Sequence, residues 1–351
     1  MIYIRADSNP EIASGHVMRC LAIAQAFQDM GQKVIFLTAD DYPSKILKQA
    51  NFQNIVLNSV WNDLSQEVEK VKDILSQNKN SLLFIDTYQV TRSYVESLMP
   101  YAKICYLGSK REYLGNINAV INYSTKIDYE FYSNNYDASK TKLLLGYSYA
   151  PLRKEFQNIS LHFHEKVQQI FLSTGNTDPY NLLEKLISLL LSTKETKNIN
   201  LNVIVGSMFK NRDKLYLQYE NINNIHLYEN VQDMGSLMQN MDLAISANGT
   251  TVWELAAAGV PVISFAMVKE QEPNAVQMGK LGLVNYCGNT YQNESECMTK
   301  ILDKTKMYCS DYEARKNLVY QARKVIDGKG SLRIASQIGK LLDGSGDIFE
   351  H

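Results

Sequence analysis

A chain of 351 residues with 36 Lys and Arg against 37 Asp and Glu is long enough for two ordinary domains, and it lacks the positive balance needed to follow a nucleic-acid strand. Its five cysteines (Cys20, Cys105, Cys287, Cys297, Cys309) are scattered and odd in number, with no C-x-x-C pair, which argues against zinc and disulfide frameworks and for a reducing compartment. No apolar run approaches the ~20 residues of a membrane span, and the chain opens directly on Met1-Ile2-Tyr3-Ile4, so a cytoplasmic protein with no signal peptide, membrane span or nucleic-acid partner is expected.

The apolar start predicts a strand, followed by a polar loop over 7–14 and then Gly15-His16, where a helix opens with Val17, Leu21, Ala24 and Phe27 at helical spacing. Residues 33–38 read as a strand, 43–50 as a helix, 55–57 as a strand and 62–77 as a long amphipathic helix. The run 81–86 is a buried strand ending in the acid Asp86; 91–98 reads as a helix, and 103–107 and 119–121 as strands. Residues 122–136, rich in Tyr, Asn and Ser, break the rhythm before a strand at 143–146.

Pro151 and a polar stretch interrupt the pattern, placing a linker at 151–165 between an N-terminal domain, 1–150, and a C-terminal domain, 166–343. The alternation then restarts with strands at 169–173, 201–205, 225–228, 243–246 and 260–265. A helix opens at Tyr180, and helices close the chain at 295–306, 311–326 and 331–342, with a fraying tail at 344–351. Strands that are apolar throughout and alternate with helices imply parallel sheets covered on both faces. The expectation is therefore an α/β protein of two facing, doubly wound, Rossmann-like domains with mostly parallel sheets. A ligand would lie between them, outside the carboxyl ends of the strands.

Two stretches carry chemistry. A helix that begins at Gly15-His16 presents free N–H groups and a partial positive charge to anions, Gly15 allows close approach, and His16 stands there as a candidate base. The second stretch, Ser246-Ala247-Asn248-Gly249-Thr250-Thr251-Val252-Trp253-Glu254, runs from a strand end through a small loop into a helix. Backbone N–H groups at Gly249, Thr250 and Thr251 could bind a diphosphate there, and Glu254, one turn in, could accept both hydroxyls of a ribose. The plainer alternative is that Asn248 and Thr250 cap the helix and Glu254 complements its dipole. Neither a Walker loop nor a G-x-G-x-x-G fingerprint occurs.

Asp7-Ser8 with Gly15-His16-Val17-Met18-Arg19-Cys20-Leu21, Asp86-Thr87-Tyr88, Tyr149-Ala150-Pro151-Leu152-Arg153, Gly175-Asn176-Thr177-Asp178-Pro179, the 246–254 loop and residues 271–275 together resemble the PseG/SpsG family. These are nucleotide-sugar hydrolases of pseudaminic acid biosynthesis, relatives of the GT-B glycosyltransferases, and the matches run in order through most of residues 1–285. The resemblance implies a GT-B fold and a reaction without metal or cofactor. In that reaction water attacks the anomeric carbon of UDP-2,4-diacetamido-2,4,6-trideoxy-β-L-altropyranose, releasing UDP and the free sugar with inversion.

On that resemblance His16 is the general base and Tyr88 helps place the water or the sugar, while Asp7 orients His16, binds a sugar group, or is a plain surface carboxylate. UDP falls to the C-terminal domain, with Glu254 on the ribose and Val231 near uracil; Gly175, Asn176, Thr177, Gln271 and Asn274 complete the substrate-binding set. The sequence departs from the family where glycine usually stands at Ala13 and Asn176. It departs again at Leu107-Gly108-Ser109, where relatives carry an Asp-Asp pair, and at Lys269-Glu270-Gln271, which replaces Asp-Asn-Gln. These positions would face the sugar, so the substrate could differ. The competing expectations are a GT-B glycosyltransferase with an acceptor other than water and a nucleotide-sugar binding protein without catalysis. A UDP-sugar is the expected partner, and a monomer the expected state.

Overall fold

The computed structural model describes residues 1–12, 14–206 and 208–342, which leaves the departure at Ala13 and the tail at 344–351 outside the described residues. The chain divides into two units, Met1–Lys154 together with the segment from Lys329 onward, and Glu155–Gly328.

In the first unit β1 (Ile2–Ala6) leads into α1 (Gly15–Asp29), β2 (Val34–Thr38), α2 (Ser44–Gln49) and β3 (Gln53–Val56). A 3-10 turn, Leu64–Glu67, precedes α3 (Val68–Ser76), so the single helix expected over 62–77 is split. Next come β4 (Ser81–Asp86), α4 (Arg92–Leu98), β5 (Ala102–Leu107), β6 (Ala119–Asn122), α5 (Tyr129–Asn135) and β7 (Lys142–Leu145). The seven strands form one parallel sheet in the order β3-β2-β1-β4-β5-β6-β7. Every residue of β1 and β4 is buried, which is why these central strands read as apolar without alternation. One face is filled by Ile4, Phe84 and Leu107 against Val17 and Phe27 of α1, and the other by Leu83, Ile85 and Tyr106 with Val71 of α3 and Val95 of α4.

The second unit contains β8 (Gln169–Ser173), α6 (Leu182–Ser192), β9 (Asn200–Ile204), α7 (Arg212–Tyr219), β10 (Ile225–Tyr228), α8 (Met234–Met238), β11 (Leu243–Ala247), α9 (Thr250–Ala258), β12 (Val262–Ala266), α10 (Glu272–Lys280), β13 (Asn285–Asn289), α11 (Thr290–Ser310) and α12 (Tyr312–Arg323). Its six strands are parallel in the order β10-β9-β8-β11-β12-β13. The helix expected to open at Tyr180 starts at Leu182. Asn181 is left-handed there, and Asp178 accepts hydrogen bonds from the N–H groups of Leu182 and Leu183 at 2.9 and 2.8 Å.

The last helix, α13 (Gly330–Leu342), is the main departure from the expected boundaries. It belongs to the first unit, where Ile334, Ala335 and Ile338 join the core beside α1 and β1, rather than closing a C-terminal domain at 343. The expected linker at 151–165 likewise contracts to a crossing at Lys154 and Glu155, within a 3-10 turn, and the chain crosses back between Gly328 and Lys329.

Candidate active site

Strand order reverses between β1 and β4 in the first sheet and between β8 and β11 in the second. At such a reversal the connections leave the carboxyl ends of the two strands toward opposite sides, which opens a crevice at the sheet edge. Residues 7–14 carry the chain from β1 to His16 in the first turn of α1, and β4 ends on Asp86 two residues before Tyr88. The first crevice is therefore framed by the first turn of α1, which holds His16, and by the loop after β4, which holds Tyr88.

Asp86 is buried beneath His16 and accepts from the imidazole, with Nδ1 2.6 Å from Oδ1. Arg19, one turn further along α1, grips both oxygens of the same carboxylate, Nε lying 2.5 Å from Oδ2 and Nη2 meeting Oδ1. Cys20 Sγ donates to Oδ2 at 3.3 Å, and Arg19 Nη1 donates to the Tyr123 hydroxyl at 3.1 Å. The Tyr88 ring stands edge-on to His16 with centroids 5.0 Å apart and an interplanar angle of 84°. It is 56% exposed, so most of that ring faces outward.

Burial alone would raise the Asp86 carboxyl, but the Arg19 guanidinium and the hydrogen bond from His16 outweigh it and hold it down to about 2. The group is thus an anion at neutral pH. A bare Nδ1 at 2.6 Å from that anion would set lone pair against lone pair, so the proton belongs on Nδ1, and in the neutral ring the lone pair is on Nε2. Arg19 Nη2, 3.0 Å from Nδ1, is already donating to Oδ1 and stands beside the ring nitrogen as a second donor to the same oxygen.

Asp7 is differently occupied. One oxygen accepts from Arg5 Nη1 at 2.5 Å and the other from the Ala39 N–H at 2.7 Å. Arg5, fully buried, also pairs with Glu67 at 2.7 and 2.8 Å, and Glu67 accepts from Tyr94 and Ser59 as well. This network ties the end of β1 to the neighbouring loops. The carboxylate on His16 is Asp86, legible in sequence only as an acid ending a buried strand.

In the second unit, the loop after β8 carries Gly175 (φ +90), half-buried Asn176 and exposed Thr177; the loop after β11 carries Asn248 and Gly249 into the start of α9. A Cβ added at Gly15, Gly175 or Gly249 would meet no atom within 4 Å, so each glycine leaves its backbone open to a ligand. No side chain caps α9. Asn248, the expected cap, is buried and donates to Ser264 Oγ at 3.0 Å, while its carbonyl accepts from Asn274 at 2.9 Å. Thr250 and Thr251 form the first turn of α9, with Glu254 half-buried one turn further on.

Gln271 braces the loop after β12, its Oε1 accepting from the Met267 N–H at 2.9 Å. Val231 follows β10, two strands away from β8 at the outer end of the sheet, and is half-buried. Beside Gly175, the buried Thr174 hydroxyl has no hydrogen-bond partner. Of the departures from the family pattern, Gly108 is explained by its surroundings: the Tyr106 hydroxyl occupies the place of a side chain at 108. Among the described residues, no group of three His, Cys, Asp or Glu could hold a metal ion, and no helix is long and apolar enough to cross a membrane.

These two parallel switch-point sheets give the chain an α/β fold of GT-B type. The chain superposes over 97% of its length on 98% of the calicheamicin glycosyltransferase (TM-score 0.66, 11% identity) and on 99% of MurG from Acinetobacter baumannii (TM-score 0.67, 16% identity). Residues 169–328 match the glycosyltransferase family 28 C-terminal domain. Among curated proteins the chain is similar to the spore coat polysaccharide biosynthesis protein SpsG of Bacillus subtilis, 25% identical over 97% of this chain and 98% of that one. It is also similar to the UDP-2,4-diacetamido-2,4,6-trideoxy-β-L-altropyranose hydrolase of Campylobacter jejuni, 24% identical over 80% of this chain and 97% of that one. An uncharacterized protein of Methanocaldococcus jannaschii is 24% identical over 75% of this chain, which spans 54% of that protein's length.

Proposed function

We propose that the protein hydrolyses a UDP-linked deoxy-diacetamido sugar, UDP-2,4-diacetamido-2,4,6-trideoxy-β-L-altropyranose or a close relative, to UDP and the free sugar. The observation that carries this reading is the Nδ1–H to Asp86 bond, which leaves His16 Nε2 as a base at the switch point of the first sheet. The similarity to the Campylobacter jejuni hydrolase supports the substrate class. UDP is held by the second unit, its diphosphate at the start of α9, where no side chain caps the helix and Thr250 and Thr251 present their N–H groups while Gly249, whose own N–H donates to Ala247 O at 2.8 Å, allows close approach; its ribose lies on Glu254 and its uracil near Val231. Gly175, Asn176, Thr177, Gln271 and Asn274 contribute further substrate contacts.

His16 Nε2 takes a proton from water as the water oxygen bonds to the anomeric carbon and the bond to the diphosphate oxygen breaks. The Asp86 anion faces the imidazolium so formed, and Tyr88 places the water or the sugar against the ring it touches. Diphosphate is a good leaving group, so the chemistry asks for a base, worth about 10² to 10⁴-fold, and for donors at the departing charge. Attack from the face opposite the leaving group inverts the anomeric centre.

A second reading, transfer to an acceptor other than water, is favoured by the family 28 match. Assaying UDP release from a panel of UDP-sugars with and without acceptors separates the two. Release without acceptor is expected; release only with acceptor establishes transfer, and binding with no release under any condition removes catalysis.

A further inference from the structure

We propose that Arg19 is the positioning residue that decides which nitrogen of His16 is bare: by gripping both oxygens of Asp86 it keeps that carboxylate an acceptor, so the ring proton stays on Nδ1 and Nε2 faces the substrate. The kinetic side of this inference rests on His16 being the base, whereas the position of the ring proton does not.

The argument is a proton count on the buried pair. With Arg19 in place and the ring neutral, as a base must be, the pair holds one exchangeable proton, Asp86 being an anion and Nδ1 carrying the ring hydrogen. Without the guanidinium, a carboxylate buried at the end of β4 keeps no cation, and an isolated buried charge is strongly disfavoured. The pair then draws one more proton from solvent. Placed on the carboxyl, it donates to Nδ1 and forces the ring hydrogen to Nε2; placed on the ring, it occupies Nε2 directly. Either arrangement removes the lone pair that water requires.

The other groups facing the pair do not supply this charge. Cys20 donates a thiol hydrogen to Oδ2, Tyr88 meets the ring edge-on, Tyr123 sits on Arg19, and the Tyr106 hydroxyl feels both Asp86 and Arg19. Geometry fixes the choice of residue type as well. Nε and Nη2 reach the two carboxylate oxygens as a fork while Nη1 reaches Tyr123, which a lysine ammonium on one stem does not reproduce.

The test is nitrogen NMR of the full chain labelled in its five histidines, with His16 assigned by substitution. At pH 7 the wild type should show hydrogen on His16 Nδ1 and a bare Nε2, and Arg19→Gln should show hydrogen on Nε2. With a UDP-sugar that turns over, Arg19→Gln should lose 10² to 10⁴-fold in kcat with the Kd for UDP unchanged, and Arg19→Lys, which keeps the charge, should retain the Nδ1 proton and recover part of kcat. A wild-type ring protonated on Nε2, or an Arg19→Gln ring still bare there, overturns the proposal. The wild-type and lysine spectra decide the matter if the glutamine variant does not fold. Spectra as expected in a protein that turns over no UDP-sugar would leave the assignment standing and remove the proposed reaction.

Discussion

His16 and Asp86 come from elements 70 residues apart in sequence and meet because β1 and β4 are adjacent at the centre of a parallel sheet. The histidine was legible in sequence, since a Gly-His at a strand-to-helix turn is a local pattern. Its carboxylate was not, because sheet adjacency is a property of topology, and the nearer acid, Asp7, turned out to be committed to Arg5 and Ala39. On the proposed reading, His16→Ala should reduce turnover by at least 10²-fold while the Kd for UDP, measured by calorimetry, stays within about twofold. Comparable turnover in that variant would remove the general-base role.

Asp86 also makes a prediction about acid stability. Its carboxyl titrates near 2 in the folded protein against 3.8 ordinarily, so its stabilising contribution is complete above about pH 4 and is lost as pH falls toward 2. That difference is worth about 2 kcal/mol. Asp86→Asn should be less stable at pH 6, because the half-buried Arg19 loses its counter-ion, and its urea midpoint should fall less steeply than that of the wild type between pH 4 and 2. Parallel slopes for the two proteins would show that Asp86 is not held down in this way.

The element that best separates a ligand site from a mere helix start is α9. Its Asn248 is turned inward to Ser264 and Asn274, no side chain caps it, and Gly249 is surrounded by open space. Gly249 has φ −111 and ψ −156, which alanine adopts, so Gly249→Ala should melt within a few degrees of the wild type yet bind UDP at least tenfold more weakly, as read by calorimetry. Unchanged affinity would move the diphosphate away from this helix end. Most strands and helices were legible from apolar runs and helical spacing, the strands with ends shifted by a residue or two and the helices by more, α11 opening five residues before the expected 295 and closing four after 306. The missed β13 reads Asn-Tyr-Cys-Gly-Asn, too polar and glycine-bearing to signal a strand, and the missed α5 is a tyrosine- and asparagine-rich segment held by the Asp128 cap. Both are edge or surface pieces whose form is set by their neighbours.

At the scale of the molecule, two tandem arrays were visible in the sequence but the true boundary was not. An apolar stripe such as Ile334, Ala335 and Ile338 announces that a helix will be buried, without saying against which sheet. Ile338→Ala should cost about 2–5 kcal/mol in the first unit, read as a lower urea midpoint for a probe beside α1. Truncation after residue 328 should abolish turnover while leaving UDP affinity in place, and a truncated chain that still turns over would show α13 to be dispensable.

The return of the chain to its first unit has a consequence during synthesis. A ribosome works from the amino end, and domains generally fold as they emerge. Here the half that bears His16 emerges first but lacks a piece of its interior until α13 follows, so the face of α1 destined for that helix waits uncovered while the whole of Glu155–Gly328 is made. The unit Glu155–Gly328 is contiguous and has all of its parts beforehand. Completion of the first unit therefore requires a chain read through α13, and a product terminated before that helix carries a face that quality-control proteases and chaperones can recognise.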